Sequence, residues 1–206
     1  MFISYNEACA RDCSTLEQDL VLCEKAGFDY IEIRLDMLTD YLKRHTVEEL
    51  AAFFCTSRLK PHAFNALYLY PEFLSEGDDE ARQKELLEEF RLGCEVGRAI
   101  GSHYFIIVPP LQRDPAGGPY TGSWEDTFSN CVRILKELSR RAEPYDMNLC
   151  FELVGFERSS VRSIGQADAV VRAVDRPNVG FVFDSYNIFL NGGCNDFSAI
   201  GSVQPE

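Results

Sequence analysis

The sequence predicts an α/β fold of parallel strands covered by helices, arranged as a (β/α) barrel with about six of its eight strand–helix units. Three observations carry this reading. Short β-rich runs alternate strictly with helical segments, the runs are largely apolar, and they tend to end in polar or ionisable residues. Apolar strands separated by helices imply parallel strands buried on both faces. Polar strand ends fit a barrel, because barrel active sites gather at the C-terminal ends of the strands.

The strands are expected over residues 2–5, 30–34, 62–69, 103–108, 148–154 and 179–183. Ser14 followed by Glu17 reads as a capping box opening the first helix, which ends near Gly27. Thr46 with Glu49 opens another, and Ser163 with Gln166 a third that runs to Val174. Residues 79–100 carry Leu86, Leu87, Phe90, Leu92 and Ile100 as an apolar stripe broken by Gly93 and Gly97. Residues 124–142 repeat the pattern with Phe128, Val132, Leu135 and Leu138. The stretch 114–122 reads as a long loop leaving the fourth strand. No GxGxxG or GxxxxGK[ST] follows any strand, which removes the doubly wound nucleotide-binding alternative. The expectation is one TIM (β/α) barrel domain over residues 1–206, lacking its C-terminal βα units.

Composition narrows the function. A net charge of -13 and a pI of about 4.7 disfavour nucleic acid, since phosphate binding needs clustered Lys and Arg. No apolar run approaches a membrane span, so no membrane partner is expected and the protein is read as cytoplasmic. The eight cysteines form no CxxC and no Cys/His cluster, and they are read as reduced core thiols.

Glu152 interrupts the apolar run NLCFELVGF, where a carboxylate is costly to bury without a partner. It is expected to face a site; a structural ion pair with an arginine is the competing account. Asp184 ends NVGFVFDSYN in the same manner one strand later. Two acids at neighbouring strand ends converge on one volume, which suits a divalent cation or a polyhydroxylated ligand. Asn6, Glu7, Glu32, Arg34 and Asn65 lie at other strand ends and are candidates to bind sugar hydroxyls. Glu32 and Arg34 share a strand face, so a mutual ion pair competes. His62, on the third strand, is a further substrate candidate balanced against a core role. His45 reads as solvated, and His103 opens its strand at the end away from the site.

The stretches ISYNEACARDCSTLEQDLVLCEKAGFDYIEIR, DYLKRHTVEELAAFF, KPHAFNAL, Phe151-Glu152 with Val154-Gly155, and NVGFVFDSYN with its following Gly-Gly resemble the inosose (2-keto-myo-inositol) isomerases of the xylose-isomerase-like barrel superfamily. The similarity extends over nearly the whole chain. It implies an isomerase that moves a carbonyl by metal-assisted proton transfer on a keto-sugar or keto-inositol. Carried over by position, Glu152 and Asp184 match the first two ligands of a divalent metal of the zinc, manganese or magnesium class, and Glu152 is further expected to be the catalytic carboxylate. The remaining ligands of related members, a histidine and a glutamate on the seventh and eighth strands, have no counterpart in these 206 residues, so the metal site is expected to be incomplete. Where the superfamily often reads Asp-x-x-His, this chain has Asn187, which can bond a substrate but cannot shuttle a proton. That departure argues against the multi-metal endonuclease branch. The alternatives carried forward are a keto-sugar epimerase, a keto-polyol dehydratase, and a metal-free carbohydrate-binding or vestigial barrel. With six strands, open edges are expected to be covered by further chain or by a neighbour in a homo-oligomer.

Overall fold

The computed structural model describes residues 1–10, 13–69, 80–112, 118–191 and 201. Six strands, β1 (Ser4–Asn6), β2 (Tyr30–Arg34), β3 (Lys60–Tyr68), β4 (Tyr104–Val108), β5 (Asn148–Glu152) and β6 (Val179–Val182), form one sheet in the order β1-β2-β3-β4-β5-β6. Every pairing is parallel. A doubly wound sheet reverses its order at a switch point; a barrel adds each strand beside the last, as here.

The connecting helices are α1 (Leu16–Ala26), α2 (Leu35–Tyr41), α3 (Val47–Thr56), α4 (Glu80–Ile100), α5 (Trp124–Ala142), α6 (Ile164–Val174) and α7 (Ser185–Leu190). Capping boxes open α3 at Thr46–Glu49 and α6 at Ser163–Gln166, as the sequence indicates. At α1 the box is Thr15–Gln18, one residue later than the Ser14–Glu17 pairing expected. The Ser14 hydroxyl lies outside the box and donates to Asp19 Oδ2 at 2.9 Å. α2 and α7 were not marked by any sequence signal; both are short, α2 starting directly after β2 and α7 following β6 after two intervening residues.

Strand alternation sorts side chains onto two faces. Ile31, Ile33, Phe64, Phe105, Ile107, Leu149 and Phe151 point to the helices, where Leu20, Leu50, Phe90, Leu135 and Val170 complete the main core. The opposite, inner face holds a smaller cluster of Ala63, Ile106, Val108, Leu111 and Val154. The two glycines that break the α4 stripe are points of contact. A Cβ at Gly93 would lie 2.6 Å from Phe105 Cε2 and 3.1 Å from Leu35 Cδ2, so the helix seats on the sheet through bare backbone. Gly93→Ala should therefore cost about 1–3 kcal/mol despite its better helix propensity. A urea unfolding midpoint equal to wild type would refute that packing account.

Among the described residues no helix is long and apolar enough to cross a membrane. The described cysteines are all free, and Cys23, Cys94 and Cys131 are buried as expected. Cys9, Cys13 and Cys55 depart from the core-thiol reading, because they lie on exposed positions. Cys194, the Gly-Gly pair at 192–193, and residues 114–117 of the expected long loop lie outside the described residues.

Candidate active site

Glu152 is the last residue of β5, in register with Val182 of β6. Because Leu149 and Phe151 face the helices, Cys150 and Glu152 fall on the inner face. Two residues beyond β6, Asp184 caps α7, its Oδ1 accepting the Tyr186 N–H at 2.8 Å. One turn into α7, Asn187 reaches back between the two acids. Its Nδ2 donates to Glu152 Oε1 at 3.0 Å and to Asp184 Oδ2 at 2.7 Å. Its Oδ1 accepts the Gly155 N–H at 3.3 Å. Glu152's partner is thus an amide, in place of the arginine that a structural ion pair would need.

Electrostatics make this an acid-rich pocket. Burial, then the negative charges of Asp184 and Glu32, push the Glu152 carboxyl up to about 7, with the Asn187 amide opposing. Glu32, on β2, is held by Asn65 Nδ2 at 2.7 Å and is also raised by burial. Asn6 sits in register beside Glu32, and Asn65 beside Arg34. The ring of His62 lies between those of Tyr30 and Tyr104, with centroids at 5.6 and 5.9 Å; these are the first residues of β2 and β4, so His62 is exposed at the strand end away from Glu152, neither a core histidine nor a residue of the mouth.

Three further residues depart from the substrate-contact expectation. Glu7 is fully buried, its Oε2 accepting the Arg34 N–H at 2.8 Å, beside the equally buried Asp19. Burial first, with help from Asp19 and Asp36, pushes the Glu7 carboxyl up to about 8. Arg34 pairs with Asp36 through two bonds of 2.9 and 2.6 Å, so the Glu32–Arg34 pair does not form. Asn187 is 7% exposed and commits both its nitrogen and its oxygen to protein atoms. Asn6 spends its Oδ1 on the Ala8 N–H at 2.8 Å while remaining half-buried. Sequence reasoning missed Asp19 and Gly155; neither carries a local signal, since each matters through a partner from another element.

Among the described residues no group of three or more His, Cys, Asp or Glu side chains is arranged to hold a metal. Glu152 and Asp184 supply two carboxylates that meet each other as well as the Asn187 amide, and Asp184 also caps α7. That donor chemistry suits a divalent cation, which would relieve the mutual repulsion that raises Glu152. A separate cleft of about 520 Å³ between α1 and α2 offers nothing comparable, since its Arg44 pairs with Glu17 and its Lys43 with Asp40.

Residues 20–202 match the family described as xylose isomerase-like TIM barrel. The chain is 39% identical over 193 residues to an inosose isomerase of Bacillus velezensis, covering 93% of this chain and 65% of that protein. It is 37% identical to an inosose isomerase of Halalkalibacterium halodurans, covering 93% of this chain and 64% of the relative. The chain thus spans a little under two thirds of the length of these two relatives. A crystal structure of the IOLI protein with a binding zinc atom superposes with a TM-score of 0.84 at 35% identity, covering 98% of this chain and 69% of that one.

Proposed function

Since the chain belongs to the xylose isomerase-like TIM-barrel family, we propose that it acts as a cytoplasmic keto-inositol isomerase, moving a ketone to the neighbouring carbon of the ring by proton transfer. The observation that carries this reading is the pair Glu152 and Asp184, drawn from successive strands and tied through one amide on the inner face. The names of the relatives support the substrate class.

Glu152 and Asp184 would hold a divalent cation of the zinc, manganese or magnesium class, which when bound supplies Lewis acidity to a ketone and an adjacent hydroxyl. The zinc of the IOLI protein structure supports the choice of a divalent ion. Glu152 is the group that takes the proton from the hydroxyl-bearing carbon and returns it to the former carbonyl carbon, while the hydroxyl proton passes to the former carbonyl oxygen. Glu32, fixed by Asn65, accepts hydroxyls on the far side of the ring. The carboxylates orient a polyol by accepting, and the amide of Asn65 donates.

The test is incubation with 2-keto-myo-inositol in deuterated water, followed by NMR. Carbon-bound deuterium beside the carbonyl and a relocated ketone are expected, both abolished by chelator and restored by zinc or manganese. Deuterium uptake no faster than without protein would sink the reading.

A further inference from the structure

We infer that Asn187 is a positioning residue: a single amide, anchored on the backbone of Gly155, sets the spacing of Glu152 and Asp184. The inference rests on the proposed role of those two acids, and deepens it. The position looked like a substrate contact from sequence, yet the amide is 7% exposed and its polar atoms face inward.

Two carboxyl groups on separate elements repel whenever both are ionised, so their spacing then depends on what bridges them. Asn187 does so with one nitrogen, whose two hydrogens serve the two acids, Glu152 Oε1 at 3.0 Å and Asp184 Oδ2 at 2.7 Å. An amide that bridges must itself be fixed. Its oxygen accepts the Gly155 N–H, and the backbone there is pressed onto α7. A Cβ at position 155 would lie 2.1 Å from the Asn187 carbonyl oxygen and 2.9 Å from the Asn191 nitrogen, so only glycine permits the approach. Arg162 closes the turn from the other side, donating to the Gly155 carbonyl at 3.2 and 3.3 Å. The β5–α6 loop, α7 and both acids thus form one braced unit. Aspartate at 187 would fit the space but would offer both neighbours an acceptor.

Two measurements test this. In metal-free protein, the Asn187 side-chain N–H₂ signals should exchange with solvent at least about tenfold more slowly than those of exposed asparagines. Exchange at the exposed rate would overturn the bridge, whatever the fate of the metal reading. Next, Mn²⁺ is titrated into wild type, N187A, N187S, E152Q and D184N, following paramagnetic broadening of backbone amides near Gly155. Wild type should broaden selectively and both acid variants should lose the effect. N187A should bind about tenfold or more weakly, near 1.4 kcal/mol, and N187S, with one donor, should fall between. If N187A does not fold, N187S carries the comparison alone. Wild-type affinity in every folded Asn187 variant, while E152Q and D184N lose it, would overturn the positioning role alone. Unchanged broadening in E152Q and D184N, or none in wild type, would overturn the metal reading and this inference with it.

Discussion

Glu152→Gln is expected to reduce keto-inositol turnover by about 10²- to 10⁴-fold, the range that general acid–base groups supply. Glutamine preserves the shape and can still meet the Asn187 region, but it has neither the charge to hold a cation nor the basicity to take a proton. Folding should not suffer. Burial and the neighbouring Asp184 and Glu32 already disfavour the charged form of Glu152, so a neutral isostere removes repulsion. The thermal midpoint of the variant should equal or exceed that of wild type. Turnover within a few-fold of wild type, measured alongside that midpoint, would remove Glu152 from the chemistry.

The second large effect is on stability against pH. Glu7 keeps its proton in the folded protein up to about 8, against an ordinary value of 4.5. Between those values the unfolded chain has lost the proton and the folded chain retains it. Unfolding then releases a proton, so stability falls as pH rises, at up to about 1.4 kcal/mol per pH unit. The stabilisation is complete at the acid end of this window and gone above about 8. From about pH 5.5 to 7.5 the loss attributable to Glu7 approaches 2 to 3 kcal/mol as an upper bound. Burial fixes the sign and the groups that face Glu7 leave it in place: the Arg34 backbone N–H favours ionisation without reversing it, while Asp19 from α1 and Asp36 from α2 add negative charge. Glu152, also raised, adds a dependence of the same sign. Glu7→Gln imitates the protonated acid, accepting from Arg34 while offering a donor to Asp19, so it should flatten the profile and leave the variant at least as stable as wild type near pH 8. Urea unfolding at several pH values reads both; equal slopes for variant and wild type would show that Glu7 is ionised when folded.

These cases mark what could be read in advance. The meeting of Glu152 and Asp184 was legible because each carboxylate lies within or at the end of an apolar run, and the two runs are successive in the chain. The capping boxes at Thr46 and Ser163 were legible because both partners lie within one turn. The first box was misread by one position because Ser14–Glu17 and Thr15–Gln18 both fit the capping pattern, and the sequence does not choose between them. Glu7 and Arg34 were misplaced for a related reason. Arg34 had two acids within reach along the chain, and the turn into α2 delivers Asp36 to it while Asn65, from the next strand, takes Glu32. Asn187 was recognised as unusual, but its role depends on Gly155 and Glu152, both more than thirty residues away. Pairings within an element are written in the sequence; pairings across elements wait for the fold.

The strictly sequential strand order has a consequence for how freely the mouth can vary. Each strand docks beside the one that precedes it, so every crossover joins neighbours and differs mainly in length. Ser4 and its partner Tyr30 are 26 residues apart, Tyr104 and Asn148 are 44. Loop-closure entropy grows only with the logarithm of that separation, so the longer excursion costs just about 0.5 kcal/mol more than the shorter. Residues can be added at the C-terminal ends of the strands for a small fraction of one buried side chain's worth of stability, while the braced acids stay where the sheet and α7 hold them. Loops that meet the ligand are thereby decoupled, in entropy, from the scaffold that carries the chemistry.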